Sequence, residues 1–175
     1  FSPKDLSFSA DGKLLAAALG EDTLVTIDVA SGKVLYTLYR GGIQALAYSP
    51  DGKVLAVGTS GAKLEFRSPL GDQLLMEVPV APNAHWIGSL GFNQNGTRLF
   101  TLINHGKIHA WDVDGSWTPG SVKLRGESGP ALVNPRTKLS IAPDGRSVAA
   151  VGADRKAQHW VVNEADGKLT LAHSF

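Results

Sequence analysis

Cysteine is absent from the 175 residues, which removes disulfide frameworks, thiolate zinc sites, thiol nucleophiles and iron–sulfur ligation together. Methionine occurs once, at Met76, and the chain begins at Phe1, so the expectation is a fragment of a longer polypeptide. Long apolar runs are missing as well. The longest, Leu14 to Leu19, has six residues against the roughly 20 that a membrane-crossing helix needs. Neither a transmembrane segment nor a signal peptide is visible, so the expectation is a soluble chain of unassigned compartment, with no membrane partner. Charge of one sign is also lacking: 17 Lys+Arg stand against 16 Asp+Glu. Such a balance leaves no field to hold a phosphate backbone, and nucleic acid is not an expected partner. Finally, no stretch of twelve or more residues carries apolar positions at helical spacing without Gly or Pro interrupting it, so helices should be nearly absent.

A repeat fills the place of these absences. The segments LSFSADGKLLAAA from Leu6, LAYSPDGKVLAVG from Leu46, LGFNQNGTRLFTL from Leu90 and LSIAPDGRSVAAV from Leu139 share anchoring glycines at Gly12, Gly52, Gly96 and Gly145. These glycines are spaced 40, 44 and 49 residues apart. Each unit reads as an apolar strand, an Asp-Gly or Asn-Gly turn and a second strand, the strongest short hairpin signal available. A third run follows (Thr23 to Val29, Lys63 to Phe66, Lys107 to Val113, Lys156 to Val162), and most units add a fourth after a Gly-containing turn. Four short strands in 40 to 45 residues is the spacing of β-propeller blades.

The Tyr48 to Lys53 turn, YSPDGK, and the Trp111-Asp112 ending of a third strand resemble the WD-repeat β-propeller family across essentially the whole chain. Positions aligned with Trp111-Asp112 are Ile27-Asp28, Arg67-Ser68 and Trp160-Val161. The family's blade network joins a Trp, a strand Ser/Thr, a turn Asp and a His ahead of the first strand, and no unit here keeps all four. Unit three offers Thr101 and Trp111, with Asn104-His105 in the turn and His85 off the expected spacing. The first unit's VTIDVASGKVL is similar to YVTN-type propellers, some of which hydrolyse lactones.

The fold class expected is therefore all-β, with four-stranded antiparallel propeller blades at about 4–40, 41–80, 84–126 and 136–175. Both end units are as apolar as the middle ones, and an open arc of four would leave uncapped faces and strand edges. The arc is expected to belong to a seven- or eight-bladed ring. The remaining blades would come from the same polypeptide, a second copy or a partner chain.

Function in such a scaffold falls to its loops. One end of the ring collects the loops entering each first strand and those joining strands two and three. They carry Arg40, His85, Trp86, Asn104, His105, Arg136, Asp154 and Arg155. Trp and Arg on such a surface are the residue types that dominate binding energy, so Trp86, His85, Arg40, His105, Arg136 and Arg155 are candidate partner-binding residues. Trp117 joins them from the longest departure from the repeat, Gly115 to Arg136, with the alternative that it plugs that loop. Trp86 carries the parallel alternative of packing between blades.

His105 and His109, four apart, fall in a turn and on a strand, which does not make a ligand pair. Asp112-Val113-Asp114-Gly115 lacks the remaining acidic positions of a calcium loop. No metal or cofactor is expected, and no phosphate loop, G-x-S-x-G elbow or H-E-x-x-H occurs. What the resemblance implies is a non-catalytic scaffold or sensor module that recognises protein or peptide. The alternatives are an enzymatic, lactonase-like propeller with a site at the central channel, and a fragment that assembles into an eight-bladed dimer.

Overall fold

The computed structural model describes residues 3–20, 22–80, 84–103, 106–129, 138–151 and 155–175. Among these described residues sixteen strands form four antiparallel sheets, each in sequence order. The first holds β1 (Pro3–Phe8), β2 (Leu14–Leu19), β3 (Thr23–Asp28) and β4 (Val34–Tyr39). The second holds β5 (Ile43–Tyr48), β6 (Leu55–Thr59), β7 (Lys63–Arg67) and β8 (Leu74–Pro79). The third holds β9 (Ile87–Phe92), β10 (Arg98–Ile103), β11 (Ile108–Val113) and β12 (Val122–Glu127). The fourth holds β13 (Ser140–Ile141), β14 (Ser147–Val151), β15 (Ala157–Val162) and β16 (Leu169–Ser174). Among the described residues no helix occurs that is long and apolar enough to cross a membrane.

The hairpin opening each sheet follows from its turn chemistry. Ser9 Oγ donates to Asp11 Oδ1 at 2.7 Å, and the same oxygen accepts the Lys13 N–H at 3.1 Å. Gly12 takes φ 71°, which a side chain would resist. The Ser9 hydroxyl and the Lys13 amide hold the Asp11 carboxyl below its usual range. Ser49 and Asp51 repeat the arrangement, and Asn93 with Asn95 rebuilds it in amide form.

Strand alternation gives every sheet two faces, and three cores form where successive sheets meet. Ala16, Ala18 and Leu24 of the first sheet pack against Ile43, Leu46, Tyr48, Leu55 and Val57 of the second. Phe66 and Met76 of the second meet Ile87, Leu99, Trp111 and Val113 of the third. Phe100, Leu102, Ile108 and Ala110 of the third meet Val148, Trp160, Val162 and Leu169 of the fourth. The first strands are stitched directly to one another. Asp5 Oδ2 accepts the Leu46 N–H at 2.8 Å, Ser7 Oγ the Tyr48 N–H at 3.1 Å, and Ser89 Oγ the Leu139 N–H at 3.0 Å. First strands are therefore the inner ones, as in a propeller, and the four sheets are its blades.

Two glycines set the approach of blade four to blade three. A Cβ on Gly126 would fall 2.2 Å from the Gly167 carbonyl oxygen, and one on Gly91 would fall 2.7 Å from Ile141 Cδ1. Nearby, Glu164 of blade four receives Arg98 and Arg125 of blade three.

Candidate functional site

Antiparallel order sends the turns after second strands, and the links from fourth to next first strands, to one end of the blades. Turns after first and third strands lie at the other end. Arg40, His85, Trp86 and Arg155 consequently share one end, and Trp117, in the loop after β11, sits at the opposite one. His105 and Arg136, together with Asn104 and Asp154, lie outside the described residues.

The four described residues at the first end have different freedoms. Arg155 is exposed and takes φ 64° in the turn before β15, a left-handed backbone that a non-glycine residue adopts at some cost. His85 is exposed, and Trp86 is half-buried. The Trp86 ring lies against the backbone of Gly88, where an added Cβ would come within 2.0 Å of it. Gly88 thus clears the seat that holds the indole. Arg40 is committed: its guanidinium pairs with Glu65, a carboxylate with no exposure, which Arg67 Nε also reaches at 3.0 Å. Arg67 in turn donates to the Gly71 carbonyl at 2.9 Å, and burial lowers its pKa. Arg40 therefore neutralises a buried charge at the junction of blades one and two.

Trp117 is buried. Its ring packs 5.5 Å from Phe66 and 6.0 Å, edge-on, from Phe92, and its Nε1 donates to Asp51 Oδ2 at 3.3 Å. With φ 55° it wedges the loop into the junction between blades two and three, the plug rather than the exposed anchor of the two roles its sequence context left open.

Polar residues buried in the third strands went unread in the sequence. Glu65, His109 and Gln158 occupy equivalent register positions, opposite Val57, Thr101 and Ala150, and all three are buried. Neither nitrogen of His109 is hydrogen-bonded, although Glu127 Oε2 stands 3.3 Å away. Burial pushes the His109 pKa down, and the Glu127 carboxylate partly offsets that. The only signal was a charged or polar residue at an inward position of an apolar strand, as in KLEFR. The pairing of Thr101 with Trp111 was legible: Trp111 Nε1 donates to Thr101 Oγ1 at 3.0 Å. Tyr48, of the YSPDGK turn, donates its hydroxyl to the Pro69 carbonyl at 2.7 Å, and burial raises its pKa to about 12.

On the inner side, Lys138 at the entry to blade four forms an ion pair with Asp5 of blade one. Among the described residues no group of three or more His, Asp or Glu side chains is placed to hold a metal ion.

Register fixes the equivalence of the third-strand positions: Ile27 faces Leu15, Arg67 faces Leu55, Trp111 faces Leu99 and Trp160 faces Val148. The family described as WD domain, G-beta repeat matches residues 32–63, from the end of blade one into blade two. That segment of the chain matches a WD-type repeat. Over 115 residues the chain is 33% identical to the small ribosomal subunit protein RACK1 of Candida albicans, covering 62% of this chain and 36% of that protein. It is 25% identical over 167 residues to the 66 kDa stress protein of Physarum polycephalum, covering 93% of this chain and 26% of that one. The chain thus spans about a third or less of these curated relatives. A solved Kuenenia stuttgartiensis hydrazine synthase chain is similar in fold, with a TM-score of 0.74 at 19% identity, over 98% of this chain and 48% of that one.

Proposed function

We propose that these WD repeats are part of a larger propeller that serves as a non-catalytic platform for protein or peptide recognition, with Trp86 as its central anchor. The observation that carries the reading is the seating of Trp86: a partly buried indole held against Gly88 of β9, next to exposed His85 and, at the same end, Arg155. A preorganised aromatic is the residue type that anchors binding hot spots. The inner-side charges Asp5 and Lys138 are paired with each other, which favours this reading over a hydrolytic site in the channel. The similarity to RACK1 favours a protein partner.

The remaining blades of the ring, in this proposal, cover the two outward faces. Leu6, Phe8 and Val34 on blade one are 59%, 60% and 57% exposed, a contiguous apolar surface of the kind that monomers rarely leave open. The test of recognition is peptide-library panning on the protein and two variants. Trp86→Ala removes the anchor, and Gly88→Ala displaces it without deleting the aromatic. Both are expected to lose the enriched sequences, while Phe8→Ser at the far face keeps them. Enrichment that survives both changes contradicts the proposal.

A further inference from the structure

Three of the turns that open the blades are built on Asp-Gly, at Asp11, Asp51 and Asp144, and the third blade alone uses Asn-Gly, at Asn95-Gly96. No other asparagine of the chain precedes a glycine. The four turns are wired alike. The amide two residues on, of Lys13, Lys53, Arg146 or Thr97, donates to the Asp or Asn Oδ1 at 3.1, 3.1, 2.9 and 3.2 Å. The glycine N–H then closes the turn onto the carbonyl three residues back. That bond is 2.9, 2.9 and 2.8 Å at Gly12, Gly52 and Gly145, and at Gly96 it is 3.1 Å, the longest of the four.

Asn95 is exposed, and its Oδ1 also accepts Thr97 Oγ1 at 2.6 Å and Asn93 Nδ2 at 2.7 Å. The Thr97 N–H, which can only donate, fixes this end of the amide as the oxygen. Three donors thus converge where an oxyanion would grow if Cγ were attacked, and none of the three bonds falls on Nδ2. The adjoining nitrogen belongs to Gly96, with no Cβ to crowd it. We propose that Asn95 is a self-modification site that loses its amide to water. When the turn bond of Gly96 opens, hydroxide takes its N–H proton and the nitrogen attacks Asn95 Cγ. The N–Cγ bond forms, charge collects on Oδ1, and its return expels Nδ2, which leaves as ammonia with a proton from water. Water then opens the five-membered imide. Breaking the new N–Cγ bond leaves aspartate on the original backbone, whereas breaking the other leaves isoaspartate, with the chain rerouted through the side chain. One water is consumed and one ammonia released. Only aspartate keeps the amides of residues 96 and 97 in place, so the folded turn collects it and becomes the Asp-Gly turn of the other blades. The change removes the chain's formal net charge of +1. It also adds a carboxylate to the hollow of about 100 Å³ that Asn95 lines with Asp51 and Asp114, at the end carrying Trp117. This inference stands apart from the recognition role of Trp86.

The test holds the folded chain and a guanidinium-unfolded sample side by side at pH 8.5 and 37 °C. Peptide mapping with electron-transfer fragmentation reads the acid formed at each asparagine and separates aspartate from isoaspartate. The folded chain is expected to convert at Asn95 ahead of every other asparagine, with aspartate in excess, while the unfolded chain gives mainly isoaspartate. Thr97→Val, which removes one oxyanion donor, should slow the folded reaction several-fold and leave the unfolded rate unchanged. Asn95→Asp should keep the parent's urea midpoint. An Asn95 amide still intact in the folded chain once the unfolded one has converted overturns the proposal. So does isoaspartate in excess in both, an equal folded rate in Thr97→Val, or a lowered midpoint in Asn95→Asp.

Discussion

The junction between blades two and three and the outward face of blade one are built from the same repeat, yet one is sealed and the other open. At the junction Phe66 and Trp111 are fully or almost fully buried, and Trp117, from an insertion the other units lack, closes the bottom. On blade one the corresponding face carries Phe8, Leu15, Ile27 and Val34, with Phe8 and Val34 more than half exposed. Residue type does not separate the two faces, since both are apolar; what separates them is whether a next blade is there. An apolar face repeated without a polar cap is the mark of a unit inside a longer array.

That contrast can be broken or sharpened by substitution. The largest effect is expected at the sealed junction, where Phe66→Ala should cost about 3–5 kcal/mol, read as a fall in the urea midpoint. Thr101→Val is next: it strands the buried Trp111 Nε1–H, whose 3.0 Å bond it removes, and should cost about 1–3 kcal/mol. Acidification gives a smaller effect. Burial sets the His109 pKa below its ordinary 6.5, so on lowering the pH through about 6.5 the unfolded chain takes up a proton that the folded chain refuses. This contribution to stability is complete above that range and declines below it. Urea midpoints at pH 7.5 and pH 5 should therefore differ less in His109→Phe than in the parent. The smallest change in stability, about 0.5 kcal/mol or less, is expected from Phe8→Ser on the open face. Its effect should appear in light scattering as reduced self-association. A large loss of stability from that substitution would mean that the face is buried after all.

Much of this architecture was legible beforehand because repeated local chemistry speaks four times. Ser9, Asp11 and Gly12 make their turn by contacts within five residues, and Asn93, Asn95 and Gly96 make it again with different functional groups. Trp111 and Thr101 could be paired because strand register follows from that turn. The roles of Arg40 and Trp117 were not legible in the same way. In the sequence Arg40 is a loop cation like any other, and its partner Glu65 lies one blade further along the chain. Trp117 depends on Phe66 and Asp51, 51 and 66 residues distant in sequence.

The central proposal, that these four blades belong to a larger ring whose further blades cover the two outer faces, is tested most directly by the absolute mass of the 175-residue chain in solution. Light scattering behind size exclusion, run at several concentrations, should show association that grows with concentration, either to a dimer that places two arcs in one ring or to larger assemblies. A monodisperse, cooperatively melting monomer at every concentration would contradict it.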